Sequence, residues 1–413
     1  MKNKIKDGFQ NVKNKVKTSI KFVSKKNQYN FMEVVAVMII TTIFGMFLGG
    51  ILMYRKGSLN MGIKKQLNEF LSTYTEILNE YYEEIPENEL LEAGVKGMIG
   101  YLGDPYSVYM DKDTSIAFNE KINGEYVGIG TEIIQYSDGK IEFNDVYEDG
   151  PAYEAGIRVK DILIKVDDTD ISDKTLSEVS SLVKGKSGSK VKITVLRDDE
   201  EKTFEVKRKS IDITSVTSDI IEYKDSKVGL LTISLFAANT NLQFEKELKE
   251  LEKKKIDSLI IDVRGNSGGY LNVVSDILSH FIKKGELLYQ LKTKDEIEKI
   301  YDKTEDKRNY KVAVLVNGGS ASASELLASC MKDTYKAYTV GTVTYGKSKV
   351  QKTQDLSNGA TIKFTFQEWL MPSGESVGGK GMEPEYVVPY ESNDTEHEYD
   401  SQMQKALDLL TEE

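Results

Sequence analysis

Strands and helices alternate along the second half of the chain, and this alternation constrains the fold more than any other feature of the sequence. The strand-like runs VGLLTISL, DSLIIDV and KVAVLVN are separated by the helical stretches QFEKELKELEKK and LNVVSDILSHFI. This order is typical of an α/β core with a mostly parallel sheet. Sites in such sheets form at the carboxyl ends of the strands. Two loops take that position, RGNSGG at 264–269 and GGSASASE at 318–325.

Residues 124–210 differ from this pattern, because short strand-like runs alternate there with turns rich in glycine and aspartate. The segments GIGTEI, EDGPAYEAGIRVKDILIKVDD and SGSKVKITVLR occur in that order and resemble a PDZ domain. The resemblance implies a loop whose backbone N–H groups hold the terminal carboxylate of a peptide, while the peptide adds to the sheet as a strand. The alternative is a small β domain with an ordinary glycine turn. The loop residues are Val127, Gly128, Ile129 and Gly130.

The amino-terminal part combines a basic segment with a long apolar run. Residues 1–30 contain nine lysines and one acidic residue, and Val34–Met53 contains twenty residues without a charge. The length of this run matches the thickness of a bilayer, and the lysines predict that the amino end stays in the cytoplasm. We therefore expect a single-pass protein of the cell membrane, in contact with the lipid bilayer, whose remaining residues lie outside the cytoplasm. Helical periodicity then covers 62–120, with an apolar face to bury on the body or on a second subunit.

The composition argues against nucleic acid and metal as partners. The net charge is −11, and because residues 1–30 contribute +8, residues 31–413 carry −19 (−11 minus +8). A region with so large a negative charge repels the phosphate backbone of a nucleic acid. One cysteine and two histidines leave no zinc cluster, and no acidic run has the spacing of a calcium loop. We expect no bound metal.

The sequence GNSGG at 265–269 is similar to the nucleophile loop of trypsin-like proteases. Those enzymes need a histidine base and an aspartate upstream of the serine, but no histidine precedes Ser267. His280 follows it on the next predicted helix, and His397 lies in the acidic segment NDTEHEYD. The trypsin-like hypothesis therefore fails on its own chemistry.

A lysine can replace histidine as a base if burial and neighbouring charges lower its pKa. The segment YGKSKVQ at 345–351 offers Lys347 and Lys349, and Gln351 carries an amide that can bond a neutral amine. Spacing alone favours the alternative, in which both lysines lie on a solvated edge. Ser322 begins a predicted helix, and its hydroxyl either attacks a substrate or forms a capping box with Glu325.

NGGSASASE and GKSKVQ, with twenty-five residues from Ser322 to Lys347, are similar to the motifs of the C-terminal processing (tail-specific) peptidases. These are serine proteases with a Ser–Lys pair and an embedded PDZ domain. Other segments that resemble the family are AGVKGMIGYLGDPYSVYM, SKVGLLTISLF, IIDVRGNSGGYL and WLMPSGESVGGKGMEPEYVV. The resemblance implies an α/β protease core of the ClpP/crotonase-like type with an inserted PDZ domain. The apolar run and the helical periodicity described above add one transmembrane helix and an N-terminal helical segment to this predicted fold.

Carried over by position, the resemblance makes Ser322 the nucleophile, Lys347 the general base and Gln351 the residue that orients the lysine. The backbone N–H groups of Gly268 and Ala323 would form the oxyanion hole. No cofactor is implied. Polypeptides with C-terminal tails are the implied substrates, the implied assembly is a homodimer through the N-terminal helices, and a resting form with a misplaced lysine is expected. The family commonly has glycine where this chain has Ser348, which could shift the lysine.

The predicted function is therefore a membrane-anchored endopeptidase that cleaves exported or membrane proteins near their C-termini. The alternative is a non-catalytic, membrane-anchored PDZ scaffold that binds C-terminal tails. The predicted organisation is a basic cytoplasmic tail (1–33), a transmembrane anchor (34–54), a helical dimerisation region (55–123), a PDZ domain (124–210), a serine protease core (211–390) and an acidic C-terminal tail (391–413).

Overall fold

The computed structural model describes residues 61–305, 307–392 and 400–412, together with some positions between 35 and 45. The chain divides into two compact units, residues 1–93 and 94–413. Helix α1 (Met61–Glu80) lies in the first unit, and helix α2 (Glu87–Tyr101) begins there. The hydroxyl of Tyr74 donates to the carbonyl of Glu87 at 3.0 Å, which ties the two helices together within this unit.

The transmembrane helix predicted at 34–54 is the part of the fold prediction that is wrong. Among the described residues, no helix is long and apolar enough to cross a membrane. The described helical positions of the apolar run lie between Val35 and Gly45. The remainder of the predicted anchor, up to residue 54, and the basic tail at 1–33 lie outside the described residues.

The segment 124–212 forms a domain around its own hydrophobic core. Its main sheet has the order β3-β4-β5-β7-β8, and a separate pair joins β2 to β9. Fully buried side chains such as Ile141, Phe143 and Ile193 form the core. Two short helices, α4 (Pro151–Ala155) and α5 (Leu176–Val183), lie between the strands in the sequence. The elements that precede and form this domain are β1 (Val108–Met110), α3 (Lys112–Asn123), β2 (Glu125–Gly128), β3 (Thr131–Gln135), β4 (Ile141–Val146), α4 (Pro151–Ala155), β5 (Ile162–Val166), β6 (Thr169–Asp170), α5 (Leu176–Val183), β7 (Lys190–Arg197), β8 (Glu200–Lys207) and β9 (Lys209–Asp212).

A mostly parallel sheet forms the core that follows, as the alternating pattern predicts. Its order is β10-β11-β12-β15-β16-β19, in which only the pair of β10 and β11 is antiparallel. A second sheet has the order β1-β18-β13-β14, with β17 paired to β18. The elements are β10 (Val216–Tyr223), β11 (Ser226–Ile233), α6 (Thr240–Lys253), β12 (Ser258–Asp262), α7 (Leu271–Leu278), β13 (Leu287–Lys292), β14 (Ile297–Tyr301), β15 (Val312–Val316), α8 (Ala323–Cys330), β16 (Tyr338–Gly341), β17 (Lys349–Asp355), β18 (Thr361–Leu370), β19 (Tyr386–Val387) and α9 (Ser401–Thr411).

Helices cover both faces of the parallel sheet, which explains why its central strands are continuously apolar. Alternate side chains of a strand point to opposite faces. Leu259 and Ile261 of β12 therefore pack with α6, α7 and α8, whereas Ile260 packs with α9. Because β12 and β15 are parallel neighbours in this sheet, the loops that follow them lie at the same edge.

The segment predicted as an acidic C-terminal tail, 391–413, ends in a helix that packs on the core. Ala406 is fully buried and Leu407, Leu409 and Leu410 are nearly so. The acidic residues of the segment outweigh this apolar run in composition, although the run has the spacing of a helix face. Helix α9 therefore belongs to the α/β core, whose described part extends to 412.

Candidate active site

The three serines of the loop between β15 and α8 have different surroundings. Ser320 and Ser324 are fully buried. Their hydroxyls donate at 2.8 Å to the carbonyls of Val263 and Asn266, in the loop after β12. Ser322 lies between them and lines a cleft. The flanking serines thus join the two loops, and Ser322 is the one whose side chain faces the cleft.

Ser322 holds a backbone conformation that few non-glycine residues adopt. Its φ is +54° and its ψ is −111°, at the position that precedes the first residue of α8. Such a conformation costs about 1–3 kcal/mol and persists only where neighbouring contacts impose it. Here the backbone N–H of Ser322 donates to the Glu325 carboxylate at 2.7 Å, which is the backbone half of the predicted capping box.

Glu325 is fully buried, and its role is wider than the capping box suggests. One carboxylate oxygen accepts the backbone N–H groups of Ser322 at 2.7 Å and Lys347 at 2.9 Å. The other oxygen accepts the Gly346 N–H at 2.7 Å and the Thr344 hydroxyl at 2.6 Å. A single carboxylate therefore ties the backbone of the predicted nucleophile to that of the predicted base.

The predicted base Lys347 is half-buried, and its environment favours the neutral amine. Burial lowers the pKa of Lys347 below its ordinary value, and the positive charge of Lys363 lowers it further. The carboxylates of Asp104 and Glu325 oppose this effect without reversing it. The ammonium nitrogen lies 4.9 Å from the centre of the Tyr106 ring.

The loop that carries Lys347 is fixed by hydrogen bonds to strand β18. The indole N–H of Trp369 donates to the carbonyl of Lys347 at 3.0 Å, and the backbone N–H of Trp369 donates to the carbonyl of Ser348 at 2.9 Å. The Ser348 hydroxyl donates at 2.9 Å to the Glu368 carboxylate, which also accepts the Ser376 hydroxyl at 2.8 Å. The Ser348 side chain thus adds an anchor to this loop.

Gln351 belongs to a hydrogen-bond network that reaches the segment before the PDZ domain. Its side-chain amide donates to the Thr365 hydroxyl at 3.1 Å, and that hydroxyl donates to Asp104 at 2.6 Å. The Ser107 hydroxyl donates to the same carboxylate at 2.6 Å. Burial raises the pKa of Asp104, but these hydrogen bonds outweigh the burial and lower it overall. The segment GDPYS at 103–107 therefore supports the site, although it lies far from Gln351 in the sequence.

One cleft of about 630 Å³ contains four of the five residues predicted for catalysis and oxyanion binding. Ser322, Lys347, Gln351 and Gly268 all line it, whereas Ala323 is fully buried behind Ser322. Residues from α3, the loop after β12 and strands β17 and β18 form its walls. The structure thus brings together segments that are separated by more than eighty residues in the sequence.

Gly268 lies directly against the Ser322 loop, and only glycine fits there. Its φ is +106°, and a Cβ at this position would lie 3.0 Å from Ser322 Cβ and 3.2 Å from the Ala323 nitrogen. The two predicted oxyanion amides are therefore close neighbours. However, the Gly268 N–H donates to the side-chain oxygen of Asn266 at 2.8 Å, so it is already engaged. Asn266 is fully buried, and its amide nitrogen donates to the Ile233 carbonyl at 2.8 Å.

The rejected alternatives have no support in the geometry. Ser267 lines the cleft, but His280 contacts Arg308, with 3.3 Å between a ring nitrogen and the guanidinium, and stacks on Phe244. His397 lies outside the described residues.

Cys330 is fully buried, and this burial raises the pKa of its thiol to about 12. Among the residues that the structure describes, no group of histidine, cysteine or acidic side chains could hold a metal ion.

The PDZ-like domain contains a separate pocket of about 270 Å³ at the predicted carboxylate-binding loop. Gly128, Ile129 and Gly130 line it, together with residues of β3 and α5. Val127 does not line it, and its carbonyl accepts the Gly185 N–H at 3.4 Å. Strand β3 pairs only with β4 among the described residues, so its other edge can accept an added strand.

Comparisons with known proteins agree with this architecture. The family described as "Peptidase family S41" matches residues 227–388, the PDZ domain matches 142–197, and the "Activating protease CtpB N-terminal domain" matches 53–114. The chain is 37% identical over 327 residues to the carboxy-terminal processing protease CtpB of Bacillus subtilis (strain 168), which covers 78% of this chain and 68% of that protein.

A second relative is covered over a longer stretch. The chain is 33% identical over 381 residues to a probable CtpA-like serine protease of Staphylococcus epidermidis (strain ATCC 12228 / FDA PCI 1200), with coverage of 92% of this chain and 77% of that protein. Among solved structures, the photosystem II D1 C-terminal processing protease is 23% identical with a TM-score of 0.45, covering 76% of this chain and 85% of that one.

Proposed function

The chain belongs to peptidase family S41 as a C-terminal processing serine protease, and on that premise we propose that Ser322 is its nucleophile and Lys347 its general base. The membership confirms the family prediction and the predicted enzyme class. The observation that carries the proposal is that both side chains line one cleft in which burial and Lys363 lower the pKa of Lys347. A base of this kind is needed because the only two histidines of the chain are His280 and His397.

The reaction proceeds through an acyl-enzyme. The neutral amine of Lys347 accepts the hydroxyl proton as the oxygen of Ser322 attacks the peptide carbonyl carbon. The resulting ammonium then gives that proton to the leaving amine, and the peptide C–N bond breaks. Water, deprotonated by the same amine, attacks the ester carbonyl carbon, and the C–O bond to Ser322 breaks to release the new carboxyl end. The lysine ammonium returns its proton to the Ser322 oxygen, which restores the neutral amine. Gln351 orients the lysine from the end of the network that Asp104 and Thr365 form.

The oxyanion hole consists of the Gly268 and Ala323 amides in this proposal. The Ala323 amide lies at the amino end of α8, where a developing negative charge is favoured. The Gly268 N–H must turn away from the Asn266 side chain before it can bind the oxyanion. The described geometry thus corresponds to a resting site, and substrate binding completes it. A structure with a bound peptide in which Gly268 still donates to Asn266 would contradict this step.

The PDZ domain captures the substrate tail. The terminal carboxylate binds at the Gly128–Gly130 loop, and the last residues of the tail pair with the free edge of β3. The pocket also contains Tyr126, Ile133 and Val183, whose apolar atoms suit an apolar terminal side chain. Tail capture at a separate site leaves the catalytic cleft free for a segment that precedes the tail.

The N-terminal helix pairs with a second copy of the chain. Helix α1 exposes Ile63, Leu67, Phe70, Leu71 and Ile77, with 40–62% of each side chain accessible in the single chain. Ile63, Phe70 and Ile77 are seven residues apart, with Leu67 and Leu71 on the same side of the helix between them, and this is the spacing with which a helix packs on an equivalent helix. Sedimentation equilibrium tests the homodimer: the unmodified chain is expected to be a dimer and the Phe70→Glu variant a monomer. If both proteins are monomers, the proposed homodimer is wrong.

The catalytic assignment is tested with casein or a quenched peptide as substrate. Ser322→Ala and Lys347→Ala abolish cleavage, whereas Ser267→Ala, on the neighbouring loop of the same cleft, leaves it. Binding of a fluorescent tail peptide to the PDZ domain persists in all three variants, which separates loss of catalysis from loss of folding. Undiminished cleavage by Lys347→Ala overturns the base assignment. If neither Ser322→Ala nor Lys347→Ala lowers cleavage, a contaminating protease cuts the substrate. That result would favour the non-catalytic scaffold.

A further inference from the structure

The catalytic cleft carries a charge opposite to that of the protein as a whole. Residues 31–413 are strongly acidic, yet the lining of the cleft contains five lysines and no aspartate or glutamate. These lysines come from three separate elements, since α3 supplies one and the segments of β17 and β18 supply the others. Lys347 is the neutral amine in the proposed mechanism, which leaves four cations. The five are Lys121, Lys347, Lys349, Lys352 and Lys363.

Most of these cations have no acidic partner among the described residues. Lys121, Lys352 and Lys363 form no ion pair there, and Lys349 approaches the Glu368 carboxylate only at 3.8 Å. Lys352 lies 4.9 Å from the centre of the Phe364 ring, and Lys363 lies 5.1 Å from that of Phe118. Aromatic faces stabilise an ammonium group but leave its charge uncompensated.

Tuning of the catalytic amine does not explain the whole set. Lys363 lowers the pKa of Lys347, but Lys121 and Lys352 are not among the groups that affect it. Both side chains are exposed, so packing does not require them either. Their position at the cleft is therefore best explained by what binds between them.

We propose that the cleft selects substrate segments with acidic side chains beside the scissile bond, a selection that rests on the proposed peptidase function of the same site. A concave surface of one sign concentrates ligands of the opposite sign and disfavours those of its own sign. Aspartate and glutamate side chains paired with Lys121 and Lys352 hold the segment across the cleft. Lysine- or arginine-rich segments are rejected for the same reason.

Carboxylates reach such a cleft from two sources, side chains within the segment or the free terminus of a short peptide. Four peptides that share the same apolar tail distinguish these sources. Two carry three Glu residues beside the cut site and two carry three Gln residues there, and in each case one peptide has a free C-terminus and the other an amidated C-terminus. Binding is measured by fluorescence anisotropy with the Ser322→Ala variant, and kcat/KM is measured with the unmodified protein. Both are repeated at low and high salt, because screening weakens exposed pairs.

The expected result is a preference for the Glu peptides that persists after amidation and falls at high salt. Each lysine contributes about a 1.4- to 5-fold preference, the range for partly exposed ion pairs. Lys121→Gln and Lys352→Gln therefore lower the Glu-to-Gln ratio by that factor each and multiply in the double variant. The matched control Lys283→Gln removes an exposed lysine outside the cleft and leaves the ratio unchanged.

Amidation also removes the carboxylate that the PDZ loop is proposed to bind, so Glu and Gln peptides are compared only at the same terminus. Equal kcat/KM for the Glu and Gln peptides of the amidated pair, or of both pairs, overturns the selection. Cleavage of both peptides that depends on Ser322 would then still support the peptidase function. Conversely, preferential binding of Glu peptides without cleavage would refute the catalytic assignment and leave the selection standing. Thermal unfolding of each variant shows whether a changed ratio reflects the lost charge or a damaged fold.

Discussion

Replacement of Glu325 by glutamine tests whether one buried carboxylate positions both halves of the proposed catalytic pair. The carboxylate accepts four hydrogen bonds, from the N–H groups of Ser322, Gly346 and Lys347 and from the Thr344 hydroxyl. Glutamine has nearly the same shape, but one of its oxygens becomes an amide NH₂ group, which donates. At least one N–H of the four donors must therefore lose its acceptor.

The glutamine side chain at position 325 can lie in two orientations. The better one keeps its oxygen as the acceptor of the Ser322 and Lys347 N–H groups, because two donors then retain their partner. Its NH₂ group then faces the Thr344 hydroxyl and the Gly346 N–H, which is left without an acceptor in a fully buried site. A buried donor without a partner costs about 1–3 kcal/mol, and bonds to a neutral oxygen are weaker than bonds to a carboxylate. The expected loss of unfolding free energy for Glu325→Gln is about 3 kcal/mol.

Urea unfolding and steady-state kinetics measure the two consequences separately. We expect a lower unfolding midpoint and a reduced kcat with an almost unchanged KM, because Glu325 contacts the backbone of Ser322 and Lys347 but does not line the cleft. Glu298→Gln, at an exposed position of edge strand β14, is the matched control and changes neither quantity. If Glu325→Gln unfolds and cleaves like the original protein, the positioning argument is wrong.

Three further predictions concern the surroundings of the site. Lys363→Gln removes a positive charge that lowers the pKa of Lys347, so that pKa rises and the rising limb of the kcat/KM–pH profile moves to higher pH; an unmoved limb contradicts the electrostatic argument. Ser348→Ala removes the hydroxyl that donates to Glu368 and lowers the unfolding free energy in urea by about 1 kcal/mol, whereas an unchanged value would show that this anchor is redundant. N-ethylmaleimide at neutral pH leaves cleavage intact, because burial raises the pKa of the Cys330 thiol to about 12; rapid inactivation would require that thiol to be accessible.

The sequence predicts the meeting of the two site loops because parallel strands impose it. RGNSGG follows β12 and the serine loop follows β15, and these strands are neighbours in the sheet with the same direction. Their carboxyl ends therefore lie at one edge, where Gly268 and Ser322 face each other. The position of Lys347 in the same cleft does not follow from this rule. Only the family resemblance predicts it, because spacing alone favours a solvated edge for Lys347 and Lys349.

Contacts between distant segments explain what sequence reasoning missed. Asp104 and Ser107 precede the PDZ domain, yet they bond to Thr365 near the end of the core. Nothing in the local pattern of GDPYS distinguishes a supporting carboxylate from an ordinary turn residue. Glu325 had a local signal, the capping box, but its bonds to Gly346 and Lys347 depend on how the following loop returns to the helix.

The transmembrane prediction rests only on the length and composition of the apolar run at 34–53, which are the standard criteria for a membrane span. Among the described residues, no helix meets these criteria. The acidic C-terminal segment illustrates the opposite case, in which composition concealed four apolar residues of α9 that are buried in the core. Average composition describes a segment poorly when a few side chains at helical spacing decide where it packs.

In the proposed resting site, the Asn266 side chain sets the energetic cost of releasing the Gly268 amide. Its oxygen accepts the Gly268 N–H two residues ahead, an arrangement that asparagine favours in turns, and its nitrogen is bonded to the Ile233 carbonyl. Release of the Gly268 amide leaves a buried oxygen without a donor, at about 1–3 kcal/mol. An active geometry that lies 2 kcal/mol above the resting one is populated at about 3%. Substrate binding that stabilises the released amide by the same amount could therefore raise the rate by more than tenfold, without any movement of Ser322.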